Sequence, residues 1–104
     1  MKQRMRNKTE MKRLESKLYQ ALVSLETVEE CRRFFADLCT PAEIEAMADR
    51  WNAAGKLVKQ ESYREIAAET DVSLTTIGRV ARCLYGNNGG YRLMLEKLGE
   101  WKNG

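Results

Sequence analysis

The side chains best suited to bind another molecule lie in the run SYREIAAETDVSLTTIGR, at positions 62 to 79. Ser62 and Glu65 have the spacing of a capping box, in which each side chain bonds the other residue's backbone at a helix start. Ser73 can cap a second helix. Asp71 falls between the two helices, where we expect a positive φ, which aspartate tolerates better than most residues. The run therefore predicts two short helices joined by a tight turn.

The two helices together have an inner and an outer face of different chemistry. Ile66, Ala67, Val72 and Ile77 supply the apolar side chains that pack the two helices together. The opposite face carries small, hydroxyl and arginine side chains, which suit base edges and phosphates in a DNA major groove. This outer set comprises Leu74, Thr75, Thr76, Gly78, Arg79 and Arg82. Because similar apolar spacing also occurs in a plain helical hairpin, the prediction of DNA binding depends on the whole set in order.

Length and charge suit a small regulator of this kind. The chain has 104 residues, of which 43% are apolar and 32% charged, and we expect a single domain over residues 1–104. Its net charge is +3, but residues 1–18 alone hold seven Lys or Arg against two Glu. Residues 1–8 are expected to form a flexible basic arm, which either strengthens non-specific attraction to phosphates or is simply a solvated, frayed terminus.

The composition excludes several other classes of protein. The three cysteines, Cys31, Cys39 and Cys83, form neither a disulfide framework nor a zinc ligand set, and histidine is absent. Reduced thiols fit a cytoplasmic protein without a bound metal or cofactor. No acid–base pair or activated nucleophile stands at a recognisable spacing, so we expect no enzyme. The sequence also lacks both a secretory signal and the run of about 18 apolar residues that spans a membrane.

Caps and apolar periodicity predict an all-α chain of six helices. Thr27 with Glu30 and Thr40 with Glu43 form two further capping boxes, and Pro41 takes the favoured first position of a helix. Glycines and asparagines at 86–90 stop the fifth helix. The predicted helices are 9–25, a second from the Thr27 cap to about Leu38, 41–59, 63–70, 74–84 and 91–98.

The apolar stripes of the early helices predict a partner chain. Helix one carries the stripe Met11, Leu14, Leu18, Leu22 and Leu25. We expect inward positions in helix two at Val28, Cys31, Phe34 or Phe35, and Leu38, and in helix three at Ile44, Met47, Trp51, Ala54 and Val58. The last helix presents Leu93, Met94 and Leu98, with Trp101 just beyond. A chain this small cannot cover the stripes of both helix one and helix three, which favours a homodimer over a closed monomeric bundle.

Two segments in order resemble a known family. LCTPAEIEAMADRW, followed at a fixed distance by SYREIAAETDVSLTTIGR, is similar to the Trp repressor superfamily and is closest to its Gram-positive-type YerC/YecD group. The resemblance covers roughly residues 25–98. It implies an all-α, intertwined homodimer whose two helix-turn-helix heads enter successive major grooves of a palindromic operator, about one helical turn apart.

The resemblance also implies roles for the residues that could touch DNA. Arg64 matches a residue that can reach a guanine edge, and Tyr63 takes a position from which its hydroxyl could bond a phosphate. Thr76, Gly78 and Arg79 match recognition-helix positions, where Gly78 replaces a threonine and so suggests a different operator. Arg82, one turn further along, is expected to act through phosphate. The alternative function is a helical adaptor that binds protein or structured RNA through the same head.

A second set of positions matches the corepressor pocket of the family, in which an indole lies between two arginines. Arg50 and Arg79 are the matching arginines, and Thr40 lies near the ligand's amino end. Val80 replaces a glycine that lets the ring approach the backbone, and Cys83 replaces a serine. We therefore expect no response to tryptophan, and the small-molecule effector is unknown. Arg50 has the alternative role of a surface charge paired with a glutamate of its own helix.

Overall fold

The computed structural model describes residues 6–102, and over these residues it contains six α-helices and no β-strand. The helices are α1 (Lys8–Val23), α2 (Val28–Leu38), α3 (Pro41–Val58), α4 (Tyr63–Glu69), α5 (Leu74–Leu84) and α6 (Gly90–Lys97). The all-α prediction is confirmed, and the observed helix ends differ from the predicted ones by at most two residues. The chain divides into two compact units, one ending at Leu38 and the other beginning at Cys39. The single-domain expectation stays a prediction, and residues 1–5 of the predicted basic arm lie outside the described residues.

The first unit consists of α1 and α2. Asn7 caps α1, because its side-chain oxygen accepts a hydrogen bond from Glu10 N at 2.8 Å. Neither helix has a buried residue. The apolar side chains of both helices are therefore half-buried at most.

The start of α2 differs in part from the predicted capping box. The Thr27 hydroxyl accepts from Glu30 N at 3.0 Å as expected, but the Glu30 carboxylate accepts from Glu26 N at 2.9 Å instead of Thr27 N. Two of the expected inward positions, Val28 and Leu38, are exposed within this chain, at 87% and 48%.

The second unit has the only buried core in the described part of the chain. It forms between the second half of α3 and helices α4, α5 and α6, and every side chain in it is apolar. Its members are Ala53, Ala54, Leu57, Val58, Ile66, Val72, Ile77, Val80, Ala81, Leu84 and Leu95. The two α3 alanines at its centre let neighbouring helices approach closely, because they add almost no side-chain volume.

The predicted stripe of α3 is buried in its second half alone. Ala54 and Val58 are buried as predicted, whereas Ile44 and Met47 are half-buried and Trp51 is 37% exposed. The Trp51 indole stacks on the Tyr91 ring of α6, with centroids 6.3 Å apart and planes 22° apart. The first half of α3 thus keeps an apolar surface that is covered only in part.

The phase of α6 was predicted incorrectly. Leu93, Met94 and Leu98 are exposed, and Leu95 is the α6 residue buried in the core, at 1% exposure. The residue before the helix, Gly89, has a left-handed φ of 78° and forms no side-chain cap. No local hydrogen bond therefore fixes which face of the helix turns inward. Beyond the helix, the Arg92 guanidinium lies 4.8 Å from the centre of the Trp101 ring.

Two features of the described residues concern other kinds of site. None of their helices combines the length and apolar character needed to cross a membrane. Nor do any three acidic or cysteine side chains among them converge in a way that could hold a metal ion. Cys31, Cys39 and Cys83 are all free thiols.

Candidate nucleic-acid interface

Serine caps fix the starts of both helices of the predicted head. Ser62 and Glu65 form the full capping box of α4, with the Ser62 hydroxyl accepting from Glu65 N at 3.1 Å and the carboxylate accepting from Ser62 N at 3.4 Å. Ser73 caps α5 by accepting from Thr76 N at 3.2 Å. Because each cap satisfies helix-end donors locally, the two helices start where the sequence predicts.

The turn between α4 and α5 is held by Thr70, which the sequence reading missed. The Thr70 hydroxyl donates to Ile66 O at 2.7 Å and accepts from Val72 N at 3.1 Å. Asp71 does not adopt the expected positive φ, because Gln60 is the only non-glycine residue among those described with such a value. The chain turns through an extended Thr70, with φ of −131° and ψ of 174°, so Asp71 needs no left-handed conformation.

The inner face of the head is packed as predicted. Ile66 and Ile77 are fully buried, and Val72 fills the corner between the helices. In α5 the buried residues are Ile77, Val80, Ala81 and Leu84, at the three- and four-residue steps of one helix face. Their burial fixes which residues of α5 point outward.

The outward residues form one surface that α4 and α5 share. Thr76 and Gly78 are half-buried, and the other predicted contact residues are exposed: Tyr63, Arg64, Leu74, Thr75, Arg79 and Arg82. The Thr76 hydroxyl accepts from the Ser73 hydroxyl at 3.1 Å and so belongs to the helix cap. The other exposed side chains are free to reach a neighbouring molecule.

Gly78 lies where the outer face of α5 meets Tyr63 of α4. A Cβ placed on it would lie 3.7 Å from Nη1 of Arg82 and 4.0 Å from Cε2 of Tyr63, which are ordinary van der Waals distances. A bare stretch of helix backbone therefore lies next to both the ring of Tyr63, at the start of α4, and the guanidinium of Arg82, one turn along α5. We call this feature the Gly78 notch.

Two carboxylates of the head are engaged in hydrogen bonds, whereas its arginines are not. The Glu65 carboxylate bonds Ser62 N, and Glu69 accepts from Nζ of Lys56 on α3 at 2.7 Å. This bond holds the pKa of Glu69 below its usual value and raises the pKa of Lys56. In contrast, the arginines at 64, 79 and 82 form no ion pair or side-chain hydrogen bond with any described residue. The motif is almost neutral by count, yet its outward cations are unpaired.

The five positions matched to a corepressor pocket do not share one environment. The Thr40 hydroxyl caps α3 by accepting from Glu43 N at 3.2 Å. Arg50 is half-buried and forms no ion pair with a described residue, which gives no support to its expected pairing with a glutamate. Arg79 is exposed, and Val80 is 1% exposed within the core of the second unit. Cys83 is exposed.

Two short capped helices, a tight turn and an arginine-bearing outer face define a helix-turn-helix head. Residues 13–99 match the Trp repressor protein family, and the chain belongs to that family. The YerC protein of Bacillus subtilis is 42% identical over 83 residues, covering 80% of each chain. The predicted family and its YerC-type branch are therefore confirmed.

Two solved structures are similar to most of this chain. A TrpR-like protein from Eubacterium eligens ATCC 27750 has a TM-score of 0.77 and 39% identity, covering 85% of this chain and 91% of its own. A candidate Trp repressor from Staphylococcus aureus has a TM-score of 0.81 and 34% identity, covering 86% and 90%. The family consists of DNA-binding helical regulators, and the prediction that this chain is not an enzyme is confirmed.

Proposed function

We propose that this protein is a sequence-specific, double-stranded DNA-binding transcriptional regulator that uses α5 as its recognition helix. The observation that carries the proposal is the outer face of the head, where Arg64, Arg79 and Arg82 are exposed and unpaired within the described residues. An unpaired arginine keeps all its donors for bidentate bonds to a guanine edge or for phosphates. A bacterial regulator of this kind meets its DNA in the cytoplasm, which we propose as its location.

We further propose that the regulator acts as a homodimer on a palindromic operator. Neither α1 nor α2 has a buried residue, and Val23, Val28 and Leu38 are among the exposed apolar side chains. Two helices without a buried side chain cannot offset the conformational entropy lost when they become ordered. A second copy of the chain would cover them in an interface of the obligate type, commonly over about 2,000 Å² in total. Light scattering at micromolar concentration should give the dimer mass, and a monomer mass would refute this part.

Selection of bound sequences from a random duplex pool tests DNA recognition. Enriched duplexes should contain two half-sites about one helical turn apart, and their affinity should fall steeply with salt. We expect Arg64→Ala and Arg79→Ala each to cost roughly 1–3 kcal/mol on the selected duplex and to relax the preference at one base pair.

Lys97→Ala is the matched control, because it removes the same charge from an exposed position on α6. If both arginine variants bound the selected duplex as tightly as the parent protein, these contact assignments would be wrong. Binding to structured RNA or to a protein, with no salt-dependent binding to duplex DNA, would instead favour the adaptor function.

A further inference from the structure

We infer that the Gly78 notch recognises thymine in the major groove and that Gly78 determines this specificity. The inference rests on the proposed function and names one base that the head reads. The notch has an apolar wall, the Tyr63 ring, and a donor wall, the Arg82 guanidinium, both next to a backbone position with no side chain.

The protein itself does not require a glycine at position 78. The described glycines with a positive φ are Gly89 and Gly99, so Gly78 does not serve a left-handed turn. A Cβ on Gly78 would meet its neighbours at 3.7 Å and 4.0 Å, whereas a Cβ on Gly86 would lie 2.8 Å from a backbone oxygen and be excluded. Glycine also lowers helix stability relative to alanine. The missing side chain is therefore best explained by a molecule that approaches from outside.

The notch also lies where a base edge would arrive. Gly78 is half-buried at the border between the buried face of α5, which includes Ile77 and Ala81, and its outer face. Tyr63 is exposed at the start of α4, and Arg82 is exposed one turn beyond the glycine. A bare Cα allows a flat base to come closer to the helix than any side chain would permit.

The chemistry of the two walls selects one base edge. In the major groove, thymine presents a C5-methyl group beside the O4 acceptor, while cytosine presents an amino donor and guanine presents two acceptors without a methyl. The thymine methyl would pack over Gly78 against the ring carbons of Tyr63. O4 would accept from Nη1 of Arg82, which in this inference contacts a base in place of the phosphate expected from the sequence. A cytosine in the same place would set its amino group against a guanidinium, donor facing donor.

Replacement of single thymines by uracil in the selected duplex tests the inference, because uracil lacks the methyl group and keeps O4. We expect affinity to fall about fourfold at one thymine position of each half-site, the value of one buried methyl group. Gly78→Ala should weaken binding to the thymine duplex and bring the thymine-to-uracil ratio close to one. Tyr63→Ala should also abolish the ratio, whereas Tyr63→Phe keeps the ring and should preserve it.

Gly55→Ala is the matched control, since Gly55 is also inside a helix and a Cβ there would meet nothing within 4 Å. This variant should retain the thymine preference of the parent protein. If no thymine-to-uracil substitution changed affinity while the protein still bound the selected duplex in a salt-dependent way, the notch assignment would be wrong and the proposed function would stand. Selection of guanine at the position nearest Arg82 would likewise refute the notch assignment and leave the proposed function standing. Failure to bind any duplex would overturn both proposals together.

Discussion

Gln60 should be a position where a single substitution stabilises this protein. It ends α3 with a left-handed φ of 71°, and it is the only non-glycine residue among those described with a positive φ. Gln60 N donates to Leu57 O at 3.0 Å and Glu61 N donates to Lys56 O at 3.2 Å. This pair of bonds is the Schellman motif, in which glycine is the usual residue at the left-handed position. Gln60 therefore occupies a conformation that its Cβ disfavours.

The gain expected from Gln60→Gly follows from two opposing contributions. The left-handed conformation costs an L-residue roughly 1–2 kcal/mol. Glycine gives back about 0.5–1 kcal/mol, because it has more freedom to lose on folding. The Gln60 side chain is exposed and makes no hydrogen bond to a described residue, so little else is lost. We expect a net increase of about 0.5–1 kcal/mol in the free energy of unfolding, or about 2–8 °C in Tm.

Chemical denaturation at one fixed protein concentration measures this change, since dimer formation would make stability depend on concentration. Gly99 offers the reciprocal experiment: it ends α6 in the same motif with a φ of 72°, and a Cβ there would meet nothing within 4 Å. Gly99→Gln should lower the free energy of unfolding by about as much as Gln60→Gly raises it. Gln60→Ala is the control and should gain nothing from the conformation, because alanine keeps the Cβ. A Gln60→Gly protein no more stable than its parent, beside a destabilised Gly99→Gln protein, would refute the reasoning at Gln60.

Three further predictions follow from the described contacts. Thr70→Val should cost about 1–2 kcal/mol of stability, because it removes the hydroxyl that bonds two backbone groups of the turn, and Thr70→Ser should retain most of it in the same denaturation assay. Because the pKa of Glu69 is lowered in the folded protein, its carboxylate stabilises the fold above pH 4.5, the ordinary pKa, and this stabilisation is lost as the pH falls further and the carboxylate is protonated. Glu69→Gln should therefore flatten the acid side of a stability–pH curve, and an unchanged curve would contradict this. Calorimetry should show no L-tryptophan binding tighter than about 100 μM, and tighter binding that also improved operator affinity would show that Val80 is accommodated.

Helix starts were the part of the fold that the sequence predicted best. Thr40 with Glu43 and Ser62 with Glu65 form both bonds of a capping box in the structure. Each box is made within four consecutive residues, so it does not depend on how the helices pack. The α6 start has no side-chain cap, and there the prediction of the buried face failed by one or two positions, with Leu95 inside. Where local bonds were absent, packing decided.

The turn and the charge pattern of the head depend on distances that the sequence does not contain. Asp71 was the expected turn residue because aspartate tolerates a positive φ, but the hydroxyl of Thr70 supplies both bonds of the turn. The Lys56–Glu69 pair joins residues 13 positions apart. It engages the Glu69 carboxylate, so this carboxylate does not pair with the exposed arginines of the head. The outward set on α5 was nevertheless predictable, because buried residues at helical spacing determine the opposite face.

Val80 and Gly78 together suggest how this head differs from the repressor that its sequence resembles. The Trp repressor that this sequence resembles has a glycine at the position matching 80, where a ligand ring approaches the backbone, and a threonine at the position matching 78, on the outer face. Here Val80 is buried in the core of the second unit, so the chain itself fills the inner position. Gly78 leaves the outer position bare. Under the proposed function, we expect the Val80 side chain, and not a bound ring, to fix the orientation of α5. The free space on this helix then faces the proposed DNA, and its specificity is open to change by a single residue.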